Sequence, residues 1–163
     1  MEIYDWGCGQ GTASVCLLDF LHSKNISPNI KHFCLVEPSI AAVERATQVI
    51  ESFCSAYFVK SITKDFDSLS PEDFKKSNIR KVHLFSNILD VEAFDLARFI
   101  HLFQQLFGSD NYFVCVGPYY SNNRRVDEFV AATAPDIMYV TMNKERGTWQ
   151  GDWTISMRIF FKH

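Results

Sequence analysis

Asp5-Trp6-Gly7-Cys8-Gly9-Gln10-Gly11 decides the reading of this chain: an acid is followed by three glycines at alternate positions. Ile3, Tyr4 and Trp6 make a short apolar lead-in that predicts a strand, and residues 12–20 predict a helix. The glycines therefore occupy a strand-to-helix turn. A turn without Cβ atoms lets the backbone approach a ligand closely and takes positive φ at little cost. The helix start behind it offers free N–H groups and a partial positive charge. A dinucleotide fingerprint requires G-x-G-x-x-G, yet its last position is Thr12 counted from Gly7 and Ser14 counted from Gly9. A phosphate loop requires a lysine after the last glycine, and none follows Gly11.

The segment resembles the first motif of the class I S-adenosylmethionine-dependent methyltransferases, D/E-x-G-x-G-x-G, which Asp5, Gly7, Gly9 and Gly11 match in full. The resemblance implies S-adenosylmethionine (SAM) as cofactor, with Asp5, Gly7, Cys8, Gly9 and Gly11 among the residues that bind it. In that family the acid acts through a water or orients the loop. A tight turn without a ligand is the alternative.

Residues 31–37 form an apolar run that ends in Glu37, followed by Pro38-Ser39 and a helical pattern over 40–53. An acid closing the second parallel strand is placed to accept the hydroxyls of a nucleoside ribose. The resemblance gives Glu37 that role, with Pro38 beside it; an acid at a helix N-terminus is the plainer reading. Residues 55–62 predict a third strand, followed by Thr63-Lys64-Asp65-Phe66-Asp67. Family members place an Asp and an apolar residue here, the carboxylate meeting the adenine amino group. Asp65 and Phe66 match best, with Asp67 as competitor. Ser70-Pro71-Glu72 reads as a helix start.

The rest of the chain completes an α/β pattern. Strands are expected at 80–88, 112–116, 137–142 and 153–161, and helices at 91–107 and 124–132. Gly108 stands where a helix ends. Alternating strands and helices predict right-handed parallel crossovers, whereas the last two strands, joined by a polar turn at 143–152, must be antiparallel. The expected fold is a doubly wound, mostly parallel seven-stranded sheet with helices on both faces and a C-terminal antiparallel strand pair. It occupies one domain, residues 1–163. Members of the resembled family usually carry a helix before the first strand, and here Met1 stands immediately before it. The expectation is a domain of a longer protein, with an N-terminal cap or acceptor-recognition region elsewhere.

Composition agrees with a packed core: 47% of the 163 residues are hydrophobic and 15 are phenylalanine, which reads as core packing. Five cysteines without a C-x-x-C pair read as reduced, mostly buried thiols of a cytoplasmic protein. The five histidines lack metal spacing, so no metal is expected, and His83 reads as core or sheet surface. No signal peptide or long apolar run points to a membrane.

The acceptor side should follow the fourth strand, at Phe85-Ser86-Asn87-Ile88-Leu89-Asp90. Enzymes that methylate adenine or cytosine amino groups often carry two prolines and an aromatic residue there. This stretch has no proline, which argues against those acceptors, and it has no cysteine for C5 chemistry. Ser86 and Asn87 are expected to touch cofactor or acceptor. Asp90 reads either as the N-cap of the next helix or as a general base, the cap being the simpler. The loops at 117–125 and 143–153 mix basic and aromatic residues, a combination suited to nucleic acid, yet the net charge is −3. The acceptor is left open among small molecule, protein and RNA. The expected function is methyl transfer from SAM. The alternative is an inactive methyltransferase-like module that binds SAM and serves regulation or interaction; a different Rossmann-like enzyme fits less well.

Overall fold

β1 (Glu2–Trp6) is the central strand, paired in parallel with β2 (His32–Val36) on one side and β4 (Lys81–Ser86) on the other. β3 (Phe58–Ile62) extends the sheet beyond β2, and β5 (Asn111–Pro118) extends it beyond β4, both in parallel. β7 (Trp153–Lys162) runs antiparallel to β5, and β6 (Val140–Gly147) runs antiparallel to β7. The order is β3-β2-β1-β4-β5-β7-β6. This computed structural model describes residues 1–53, 58–74, 77–106, 110–118, 124–133, 140–147 and 153–162. Strands leave β1 toward β3 and then restart at β4 on its other side. The carboxyl ends of β1 and β4 therefore form the switch point where open α/β sheets bind ligands.

Strand alternation sorts the side chains into two cores. Ile3, Phe33, Leu35 and Leu84 pack with Leu18 of α1 (Thr12–Ser23) and with Val43, Ala46 and Ile50 of α2 (Ile40–Phe53). Tyr4, Trp6, Phe85, Phe113 and Phe160 pack on the opposite face against α3 (Leu96–Leu106) and α4 (Arg124–Thr133). Phe99 and Phe103 of α3 and Phe129 of α4 fill that core. Each buried ring of this kind contributes roughly 1.5–3 kcal/mol. The rings also order one another: Trp6 lies parallel to Phe85 at 5.8 Å, and Phe113 parallel to Phe160 at 4.3 Å. His83 is fully buried among them. Trp6 Nε1 donates to His83 Nδ1 at 3.2 Å, so the ring proton sits on Nε2 and is donated to Asn111 Oδ1 at 3.0 Å. Burial pushes its pKa down to about 3.

Several boundaries differ from expectation. The helix expected after Ser70 is a single 3-10 turn, Pro71–Asp73, closed by reciprocal Ser70 and Asp73 bonds. Phe66, Leu69 and Phe74 are all buried in the aromatic core and pin the chain on either side of this turn. The third helix begins at Leu96, five residues later than the pattern at 91 suggests, because Asp95 is its cap. The Asp95 carboxylate accepts the Arg98 N–H at 3.1 Å. β6 runs into the expected polar turn as far as Gly147. Residues 54–57, Gly108, and parts of the loops at 119–123 and 148–152 lie outside the described residues, as does the start of the strand expected at 137. No helix among the described residues is long and apolar enough to cross a membrane. Cys8, Cys34 and Cys115 are buried thiols, while Cys16 is exposed.

Candidate functional site

The parallel register brings the ends of four strands level, since Trp6 pairs with both Val36 and Phe85, and Val36 pairs with Ile62. The residues that follow each strand therefore share one edge. Gly7, Gly9 and Gly11 all have positive φ, at 64°, 51° and 83°. Their surroundings are unequal. A Cβ on Gly7 would meet Ile88 Cγ1 at 2.7 Å, and one on Gly11 would meet Ala46 Cβ at 2.9 Å. At Gly9 a Cβ would meet nothing within 4 Å. Two glycines thus serve packing, and the middle one borders open space.

The loop's own bonds fix its shape. The Gly7 and Cys8 N–H groups both donate to the Val36 carbonyl, at 2.8 and 3.1 Å, and the Gly11 N–H donates to the Cys8 carbonyl at 2.8 Å. Gly9 N–H donates to Glu37 Oε2 at 3.1 Å, while Glu37 Oε1 accepts the Ser39 N–H at 3.1 Å. Cys8 turns its thiol into the core, where burial raises its pKa strongly. It shapes the loop through its backbone. Pro38 is exposed just beyond Glu37.

Asp5 is 1% exposed, beneath the loop. Its Oδ2 accepts the Ser14 hydroxyl at 2.6 Å and the Ser14 N–H at 3.2 Å, so it caps the first turn of α1 from the preceding strand. Oδ1 is buried with no hydrogen-bond partner among the described residues. Burial pushes the pKa up to about 6 against the lowering effect of the Ser14 bonds. Ser14, Ile88 and Ala46 escaped the sequence reading. The signal for Ser14 was faint: a hydroxyl three residues after the last glycine.

Asp65 and Asp67 separate by their contacts. Asp65 is exposed and caps a short 3-10 turn, Phe66–Ser68, by accepting the Ser68 N–H at 2.8 Å. Those Ser68 bonds lower its pKa. Asp67 Oδ1 accepts the Asp95 N–H at 3.0 Å, tying this turn to the start of α3. The Phe66 ring is buried against Phe99 and Phe94, each at 4.8 Å, so only its backbone stands at the edge.

After β4, Asn87 has φ 55° and donates its N–H to the Val116 carbonyl at 2.7 Å. Ser86 is half-buried and Asn87 exposed. The segment then runs along α4, where Arg125 holds it. Arg125 Nε donates to the Leu89 carbonyl at 3.1 Å, Nη2 donates to the Phe94 carbonyl at 3.0 Å, and the guanidinium lies 4.8 Å above the Phe94 ring. A cavity of about 580 Å³ opens between this segment and α4, lined in part by Asp90, Glu92, Arg124 and Glu128. Asp90 is not a helix cap, because Asp95 has that role.

No family model matches the sequence, and no curated protein matches it. Solved structures do match in fold. A precorrin-6y C5,15-methyltransferase from Geobacter metallireducens aligns over 100% of this chain and 80% of its own, with TM-score 0.63 and 13% identity. An rRNA methylase from Streptococcus thermophilus aligns over 99% and 87%, with TM-score 0.65 and 11% identity. The CurJ carbon methyltransferase reaches TM-score 0.70 at 12% identity, over 99% of this chain and 48% of its own. The chain has the fold of the class I methyltransferases.

Proposed function

We propose that the chain binds SAM across the glycine loop and Glu37 and transfers its methyl group to an acceptor at the carboxyl edge of β4 and β5. One observation carries the reading: of three left-handed glycines, only Gly9 borders open space, and the Glu37 carboxylate stands beside it. A bare tight turn gives no reason for a gap at that position.

The residues fit an adenosyl ligand. Each Glu37 oxygen accepts one backbone N–H and keeps acceptor capacity for a ribose hydroxyl. Phe66 opens a 3-10 turn, so its N–H lacks an acceptor within the turn and suits an adenine ring nitrogen. Asp65 beside it offers an exposed carboxylate to the exocyclic amino group. The first N–H groups of α1 and its dipole favour the carboxylate of the methionine end. Asp5, Gly7, Cys8 and Gly11 act on the loop's shape, while Pro38, Ser86 and Asn87 border the site. When bound, SAM supplies an electrophilic methyl group on a sulfonium, which needs little from the protein beyond in-line positioning. The missing third glycine, at Thr12 or Ser14, disfavours NAD.

Calorimetric titration with SAM, S-adenosylhomocysteine (SAH) and NAD tests the reading. Binding of both adenosyl ligands without NAD is the expected result. Failure of both adenosyl ligands to bind would overturn it, and binding without transfer to any acceptor would favour the regulatory-module alternative.

A further inference from the structure

We infer that uptake of the cofactor at this site releases the proton held by Asp5, so that occupancy of the site follows pH. The inference rests on the SAM reading above and concerns the regulation of the same site.

Its starting point is an orphaned oxygen. Asp5 is 1% exposed, and its Oδ1 has no hydrogen-bond partner among the described residues. Oδ2 is spent on Ser14, whose hydroxyl and N–H it accepts at 2.6 and 3.2 Å. A buried carboxylate with one unmet oxygen is costly as the ion and far less so as the neutral acid. The two Ser14 bonds favour the ion, but burial outweighs them and pushes the pKa up to about 6. The free protein therefore holds this proton in mildly acidic solution and sheds it near neutrality.

The surroundings give the ion no help. Asp5 pairs with Leu35 and Leu84 in the flanking strands, and Leu18, Val43 and Ala46 belong to the core on its face of the sheet. Cys8 in the loop is a buried thiol whose own pKa is raised in part by Asp5 and Glu37. Glu37 is half-buried and adds negative charge. Cys34 and His83 lie in the flanking strands but face the opposite core. Asp19 and His22 of α1 and Glu44 and Arg45 of α2 are exposed. Among the described residues, no cationic side chain bonds Asp5.

A cation is what the orphaned oxygen lacks, and the methionine end of the cofactor carries one. At the start of α1 the Thr12 and Ala13 N–H groups have no acceptor within the helix, and the first turn holds no acid. They suit the ligand carboxylate. Asp5 takes the next N–H, that of Ser14, so two carboxylates would share one helical turn. Their repulsion is relieved when the ammonium on the same ligand carbon lies toward Asp5, and that ammonium is the only charged donor of this end. An opposite charge nearby favours the ionised carboxylate. Asp5 then gives its proton to solvent and stays charged, with Oδ1 satisfied directly or through one water.

Calorimetric titration with SAH at pH 5.5, in acetate and in MES, counts the proton from the difference in ionisation enthalpy of the two buffers. If the ligand restores the ordinary value of 3.8, about 0.7 proton is released, and affinity rises about tenfold from pH 5 to pH 7. Asp5→Asn should release none and bind SAH equally at both pH values. Ser14→Ala removes the 2.6 Å bond that favours the ion and should move the midpoint of the affinity profile upward by about one pH unit. That variant decides the matter if Asp5→Asn fails to fold. SAH binding with proton uptake, with no proton change, with release that survives Asp5→Asn, or with an unmoved midpoint in Ser14→Ala overturns the inference and leaves the cofactor reading standing. Equal release with 5′-methylthioadenosine, which lacks the ammonium, also overturns it. Absence of SAH binding at pH 7 overturns both.

Discussion

Glu37 accepts the Gly9 backbone N–H at 3.1 Å, so the acid that ends the second strand region holds the tip of the glycine loop. One carboxylate thereby shapes the loop and faces the gap beside it. Replacing Glu37 by Ala should weaken SAH binding by roughly 1–3 kcal/mol through lost hydrogen bonds. Calorimetry reads the loss, and unchanged affinity would remove Glu37 from the site.

The three glycines should respond differently to the same methyl group. Gly9→Ala carries only the cost of a left-handed alanine, roughly 1–2 kcal/mol, yet should reduce SAH affinity by filling the gap. Gly11→Ala adds a contact with Ala46, including its Cα at 3.1 Å, and should lower stability by a further 1–3 kcal/mol. Denaturant melts paired with SAH titrations separate the two cases. Equal stability losses with equal binding losses would contradict the assignment.

Asp5 gives a pH signature. Its folded pKa, raised from 3.8 to about 6, means the neutral acid is favoured in the fold. The associated stabilisation is complete below about pH 4 and lost as pH rises through 6, amounting to about 3 kcal/mol. Asp5→Asn keeps the shape but cannot ionise. Wild type should therefore lose stability relative to Asp5→Asn between pH 4 and 7, measured by urea melts across that range. A pH-independent difference would contradict the raised pKa.

Arg125 is a clamp on the segment after β4. Arg125→Met keeps much of the stem that covers Phe94 but removes two donors to backbone carbonyls. A stability loss of about 2 kcal/mol is expected, with faster amide exchange confined mainly to residues 89–94. Exchange that stays at the wild-type rate there would show that other contacts hold the segment.

The legible and illegible parts of this molecule divide along locality. Gly7, Gly9 and Gly11 could be read because left-handed backbone at alternate positions has one cheap solution. Glu37 could be read because it ends an apolar run at a fixed distance from the loop. The α3 start was misplaced since Val91 and Phe94 fit a helical period, and nothing nearby reveals that Arg125 captures the Leu89 and Phe94 carbonyls from 36 and 31 residues away. The same holds for the crossover before β4. Ser70 and Pro71 are sound start signals, but Leu69 and Phe74 are both drawn into the core, leaving room for one turn. Asp90 was ambiguous for a local reason: two aspartates five residues apart both precede apolar residues, and packing chose the second.

β1 has a consequence for how the protein reaches this state. The strand carrying the glycine loop pairs with β4, Glu2 meeting Lys81 and Trp6 meeting Phe85, so its second neighbour comes from far along the chain. Pairings of such sequence separation close slowly and late. Ile88, just past β4, then fills the space beside Gly7. A substitution that merely slows β4 docking, at Val82 or Leu84, will therefore present in a binding assay on freshly refolded protein as a cofactor defect that disappears with time.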